Sequence, residues 1–210
     1  MARERFIRTR SLIIGALLGD AHIRDTGLMY IGHSVHQKEY VLFKMAMFKK
    51  YKPKYFERDV YLDGKKFVQV GFYTKVSNLF KTARNVMYPN GVKTVRRKDL
   101  NKLTPEGIAI WYCDDGGLSA QKSRDGRITS YCSYLNTQSF GLDGTQTVVD
   151  YFAEVYGLSA TINKNKGSYR VRFNWAETVK LMYLIGKHIP DCMGYKNLEV
   201  MRENITRVYS

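Results

Sequence analysis

Two segments of this chain, Ile13-Ile14-Gly15-Ala16-Leu17-Leu18-Gly19-Asp20-Ala21 and Ile108-Ala109-Ile110-Trp111-Tyr112-Cys113-Asp114-Asp115-Gly116, are apolar runs of helical potential that stop on a carboxylate. The last turn of a helix carries partial negative charge and repels a further anion, so each acid sits in an unfavourable place. The arrangement occurs twice, with Asp20 and Asp115 lying 95 residues apart. It calls for a counter-cation, and for a fold that brings two helix ends side by side. Divalent metal held between Asp20 and Asp115 meets both requirements.

The order of elements around these segments repeats. After the first come a hairpin (22–24 with 28–36), a helix over 38–51, and a second hairpin pairing 55–62 with 66–73 across Asp63-Gly64, a strong turn signal. A helix over 76–87 ends at Tyr88-Pro89-Asn90-Gly91, where proline and glycine interrupt regular structure. In the second half Thr104 caps and Pro105 opens the motif helix, the favoured arrangement at a helix N-terminus. A hairpin (118–122 with 127–136), a helix over 144–156, a hairpin (159–164 with 169–173) and a helix over 176–188 follow. Residues 1–91 and 103–210 thus read as two αββαββα halves of an α+β fold, joined by a basic linker at 92–102.

The balance of 34 basic against 19 acidic residues, a formal net charge of +15, points to a polyanion whose counterions the protein displaces. These charges are spread through strands and loops rather than gathered in a tail or an amphipathic helix, which favours nucleic acid over a membrane surface. Cys113, Cys132 and Cys192 are isolated, which argues against a zinc site or a disulfide framework and for a reducing compartment. No apolar run approaches the roughly 20 residues that span a bilayer, and the basic N-terminus lacks a secretory core. An intracellular location follows, a prokaryotic cytoplasm or an organelle matrix.

Both helical segments resemble the LAGLIDADG motif of homing endonucleases, with Asp20 and Asp115 at its metal-binding eighth position. Leu135-Asn136-Thr137-Gln138-Ser139-Phe140, Ile189-Pro190 and Met193-Gly194-Tyr195-Lys196 extend the likeness to the single-chain, intron-encoded members over nearly the whole chain. Leu18 and Cys113 replace the first acid of the motif and Ala21 its final glycine, while the eighth-position acids are kept. The resemblance implies pseudo-symmetric halves whose antiparallel sheets form a DNA-binding saddle, acting as a monomer. It implies magnesium, with manganese able to substitute, at Asp20 and Asp115 with Ala21 and Asp114 alongside. Hydrolysis of both strands of a long asymmetric site, leaving short 3′ overhangs, is the expected reaction. Lys196 matches a basic position of the family and Lys93 is its counterpart, the alternative for each being a phosphate-binding or surface lysine. Gln37 and Gln138 are candidates to orient water. A different class of function on the same fold, an RNA maturase that binds intron RNA, is the alternative.

Alternation along the strands selects candidates for the reading face. In 170–174, Val171 and Phe173 face helices while Arg170, Arg172 and Asn174 point away; Gln69 is the polar residue between Val68 and Val70. Arg127, Thr129, Tyr131 and Ser133 are expected on one face. Arg, Gln and Asn can pair with purine edges in a major groove. Arg24, Lys65, Lys66, Lys122, Arg124, Lys164 and Lys166, near hairpin tips, suit phosphate contacts. For any one of these residues a solvated sheet face is the plain alternative. Ordinary polar contacts are expected for the four histidines.

Overall fold

The computed structural model describes residues 2–165 and 167–201. It divides into two compact units, Asp20–Asn90 and a second that combines Met1–Gly19 with Gly91–Ser210. The units do not coincide with the halves counted along the sequence, because the first motif helix packs with the second.

That helix, α1 (Ala2–Leu18), begins well ahead of the apolar run and buries every residue from Ser11 to Leu18. In the Asp20–Asn90 unit it is followed by β1 (His22–Ile23), β2 (Met29–Ser34), α2 (Lys38–Met47), β3 (Lys54–Leu62), β4 (Lys65–Tyr73) and α3 (Asn78–Met87). The four strands form one antiparallel sheet in the order β1-β2-β4-β3. Asp63 and Gly64 both adopt positive φ, +48° and +74°, as a two-residue type I′ turn requires. The turn pairs Leu62 with Lys65 and, through the ladder, Arg58 with Gln69. Met29, Ile31, Val70 and Phe72 are fully buried on one face of this sheet, and Tyr40, Val41, Phe48, Phe80 and Met87 complete the core.

The other unit continues from α1 with α4 (Arg97–Leu100), α5 (Pro105–Asp115), β5 (Gly116–Lys122), β6 (Ile128–Leu135), α6 (Gly141–Tyr156), β7 (Thr161–Asn165), β8 (Ser168–Phe173) and α7 (Trp175–Ile185). Its sheet repeats the first topology, β5-β6-β8-β7, all antiparallel. Thr104 accepts a hydrogen bond from the Gly107 amide and Pro105 opens α5, as the sequence predicts. Trp111, Tyr112, Tyr151, Phe152, Val171, Phe173 and Leu181 fill the core. The linker is not structureless: α4 lies within it, and the buried Asp99 binds Arg96 at 2.7 Å and Lys102 at 2.6 Å. Among the described residues no helix is long and apolar enough to cross a membrane.

Candidate active site and nucleic-acid face

Helices α1 and α5 run in the same direction and touch through glycine. A Cβ on Gly15 would overlap the Gly107 carbonyl, one on Gly107 would overlap Ser11, and one on Gly19 would overlap the Asp114 side chain. Ser11 Oγ accepts from the Thr104 amide at 2.7 Å, and Arg8 forms a bidentate pair with Glu106 at 2.6 Å. The carboxyl ends of the two helices therefore lie together, with Gly19 against Asp114. Asp20 follows Gly19 directly in the chain, and Asp115 follows Asp114.

Each helix end is met by a lysine. Lys93 Nζ donates to the Leu18 carbonyl at 3.0 Å and to that of Gly19 at 3.1 Å. Lys196 Nζ, buried, donates to the Cys113 carbonyl at 2.6 Å. Leu18 and Cys113 each precede their acid by two residues, so the two lysines occupy matching positions in the two repeats. The counter-charge demanded by an acid at a helix C-terminus is thus supplied in part by the chain itself. Lys196 is anchored further by its own carbonyl, which accepts from Tyr112 Oη at 3.2 Å; burial pushes the Tyr112 phenol well above its usual range.

Asp114 and Asp115 are partly exposed. In the Asp20–Asn90 unit, Asp20 is exposed and its Oδ2 lies 3.5 Å from Nδ1 of the buried His33. His33 Nε2 is in turn 3.1 Å from Nζ of Lys44, which is fully buried. Ala21 is buried and can offer a cation only its carbonyl oxygen. Gln37 ends the short 3₁₀ turn 35–37 and Gln138 begins the turn 138–140. Each turn links the second strand of its sheet to the next helix, so the two glutamines sit in corresponding turns, at opposite ends of them.

The open face of the first sheet carries more chemistry than Gln69. Tyr30, Phe56, Arg58 and Gln69 share that face by register. Gln69 Oε1 accepts from Arg58 Nη2 at 2.8 Å and from Tyr30 Oη at 3.0 Å. Arg58 lies over the stacked rings of Tyr30 and Phe56. Arg24, Leu28 and Tyr73 join Tyr30, Phe56 and Arg58 around a cleft of about 320 Å³. Lys65 stands exposed on this face near the hairpin tip, whereas Lys66 points to the other face and binds Asp59 at 2.9 Å.

On the second sheet, Arg170 lies 3.9 Å from the centre of the Tyr134 ring and donates to Asn163 at 2.9 Å. Arg172 donates to Cys132 Sγ at 3.2 Å, and its bond with Tyr134 raises the guanidinium pKa further. These contacts put Cys132 and Tyr134 on the arginine face. Tyr131 and Ser133 therefore face the other way and are buried, and Ser133 Oγ lies 3.4 Å from Tyr112 Oη. The expectation that Arg127, Thr129, Tyr131 and Ser133 share a solvent face fails. A register shift at Gln121/Lys122 pairs Lys122 with Ile128, and one extra residue reverses the alternation beyond it. Arg127 and Thr129 are exposed, but Arg127 binds Asp125 at 2.5 Å and Thr129 Oγ1 donates to the Gln121 carbonyl. Lys122, Arg124 and Lys164 are exposed at hairpin tips. Asn174 lies past the strand and caps α7, its Oδ1 accepting from the Glu177 amide at 3.0 Å, so it is a structural residue. Lys166 lies outside the described residues.

Two four-stranded repeats, each following a helix with a carboxylate at or just past its end and a lysine on its last carbonyls, define the class of protein that the motifs resemble. Residues 10–181 match the LAGLIDADG DNA endonuclease family, and the chain belongs to it. It is 25% identical over 208 residues to the DNA endonuclease I-ChuI of Chlamydomonas applanata, covering 89% of this chain and 93% of that one. RecA of Mycobacterium gastri is 25% identical over 205 residues, 89% of this chain and 46% of that protein. The chain spans less than half the length of the mycobacterial RecA proteins it matches. Among solved structures, the homing endonuclease I-WcaI bound to its DNA recognition sequence superposes with a TM-score of 0.78 at 21% identity, covering 91% of this chain and 86% of that one.

Proposed function

We propose that the chain is a site-specific, magnesium-dependent endonuclease that hydrolyses both strands of a long, asymmetric duplex site and leaves short 3′ overhangs. The observation that carries this reading is the matched pair of helix ends, each with a lysine on the carbonyl two residues ahead of an acid. Asp20 and Asp115 would hold the metal, with Asp114 and the Ala21 carbonyl as further oxygen donors. The donor set fits, because magnesium and manganese take hard oxygen ligands and tolerate neighbouring phosphate. Bound there, such ions would supply activation of water and stabilisation of a leaving 3′ oxygen.

The remaining steps belong to side chains. Lys93 and Lys196 keep positive charge at both helix ends, where the scissile phosphates gather negative charge. Gln37 and Gln138 orient water with amide groups that both donate and accept. On the sheet faces, Arg58, Gln69, Arg170 and Arg172 read base edges, and Arg24, Lys65, Lys122, Arg124 and Lys164 track phosphates. The halves carry different side chains at matching positions, so the site they read is asymmetric. Since one chain carries both acids, it acts as a monomer. The comparisons that name an activity name DNA endonucleases, and the maturase alternative is not favoured.

Plasmid cleavage with magnesium, against Asp20→Asn and Asp115→Asn, tests the reading. Each variant should lose double-strand cutting while still binding target duplex. Unimpaired cutting by both variants would overturn the assignment.

A further inference from the structure

We propose that His33, held by the buried Lys44, is a positioning residue for Asp20 that serves one of the two strand cuts, its place in the second repeat being taken by a different residue. The inference rests on Asp20 being the metal-binding acid of the first repeat. His33 Nδ1 faces Asp20 Oδ2 at 3.5 Å, and Nε2 faces Lys44 Nζ at 3.1 Å. The His33 side chain is 3% exposed against 39% for Asp20, so a fixed interior group steers a group open to solvent. A lysine ammonium has only donors, so Nε2 must accept from it. The ring hydrogen of a neutral imidazole then sits on Nδ1, aimed at the carboxylate. Contacts of this kind are often long before substrate binds and shorten afterwards.

The equivalent positions of the second repeat carry other groups. Tyr30 pairs with His22, two residues past Asp20, and Tyr134 pairs with Gly117, two residues past Asp115. Counting three residues on from each tyrosine gives His33 and Thr137 as equivalents. Thr137 is buried and its hydroxyl is 2.9 Å from that of Thr145. Eleven residues beyond each, Lys44 corresponds to Val148, a buried apolar residue. One half has an imidazole braced by an ammonium where the other has a hydroxyl pair and a valine. Groups that orient metal ligands typically change affinity or activity by 10–100-fold when removed, and here the loss should fall on one strand.

The test is single-turnover cleavage of target duplex labelled separately on each strand, in magnesium, together with the ring-nitrogen NMR signals of His33 in metal-free protein. His33→Leu should slow one strand roughly 10–100-fold and leave the other at its original rate, with affinity for uncut duplex unchanged. His33→Asn should restore most of the lost rate, because its amide nitrogen replaces Nδ1 as donor. In the wild-type protein the ring hydrogen should be on Nδ1, and Lys44→Met should release it to a mixture of tautomers. Equal slowing of both strands, no rescue by asparagine, or a hydrogen found on Nε2 would each overturn the proposal; the last needs no variant to fold. Should Asp20→Asn abolish cutting while His33→Leu cuts both strands normally, this inference alone fails. Should Asp20→Asn itself cut normally, the nuclease reading fails first.

Discussion

Replacing Gly15 by alanine reverses an ordinary rule. Within a helix, glycine is about 1 kcal/mol worse than alanine, so the substitution normally stabilises. At Gly15 the added Cβ would lie 2.9 Å from the Gly107 carbonyl carbon and 3.2 Å from its Cα, and nearer still to the oxygen. All three are main-chain atoms and cannot turn aside, so α1 and α5 must separate. Contacts along the seam, where Ser11 meets Thr104 and Gly19 meets Asp114, are then stretched. Gaps of 0.5–1 Å forfeit about a quarter to a half of each dispersion well. Overpacking of this kind costs about 1–3 kcal/mol, and with the helix-propensity gain of about 1 kcal/mol set against it the net loss is about 0–2 kcal/mol. Gly186 is the internal control: its φ is −54°, and an added Cβ meets nothing closer than Asn197 at 3.7 Å. Gly186→Ala should therefore stabilise by about 0.5 kcal/mol. For a chain of this size about 1 kcal/mol moves the melting temperature by about 2–4 °C, so Gly15→Ala should melt about 1–10 °C below Gly186→Ala. Separation also moves the ends that carry the acids, and a displacement near 1 Å costs about 100-fold in rate. Thermal melting and duplex cleavage of both variants check the reasoning. If Gly15→Ala melts at or above Gly186→Ala with full activity, the glycine seam does not set the helix spacing.

Arg58→Ala should cost about 1–3 kcal/mol of specific binding and relax selectivity at one base position, whereas Lys65→Ala should weaken all sequences alike and lower the salt slope by about one; competition binding across salt concentrations separates them. Lys196→Met removes a charged donor from the buried Cys113 carbonyl and should cost about 1.5–3 kcal/mol, read as a fall in the urea midpoint. Burial holds the His188 imidazole below its ordinary value of 6.5. The unfolded chain takes up that proton first, so stability is lost as pH falls below about 6.5, and His188→Gln should shrink the fall in urea midpoint between about pH 7.5 and 5.5. Removing divalent metal with a chelator should leave the melting temperature nearly unchanged while abolishing cleavage, because lysines already cap both helix ends.

The elements legible in the sequence were those with local punctuation. Asp63-Gly64 fixes its hairpin, Thr104-Pro105 starts α5, and alternation in Val68-Gln69-Val70 turns Gln69 outward. The same turn holds more than it was asked for: a two-residue loop at 63–64 sets the register, and the register makes Arg58 the partner of Gln69. The other face assignment failed because a bulge in a strand leaves no composition signal, and its one extra residue inverted Tyr131 and Ser133. Alternation places Asn174 at the end of a strand, whereas its side chain caps α7; asparagine just before Trp175, with Glu177 three residues on, is a capping signature. His33 and Lys44 carry no motif. Their importance comes from a tertiary contact between a strand and a helix, and nothing in the local pattern marks a lysine in mid-helix as fully buried.

The first motif helix shows why the compact units and the sequence repeats differ. Its apolar run has small residues, Gly15 and Gly19, at the spacing where α5 needs close approach, so α1 and α5 pack directly against one another. That packing puts two negative helix ends together and makes their electrostatic cost a shared one. An acid at such an end costs roughly 0.3–1 kcal/mol, whereas a hydrogen bond from a charged donor contributes about 1.5–3 kcal/mol. Lys93 and Lys196, reaching in from segments beyond each repeat, thus outweigh the penalty before any metal arrives. The fold can then hold its carboxylates ready without depending on the metal for stability.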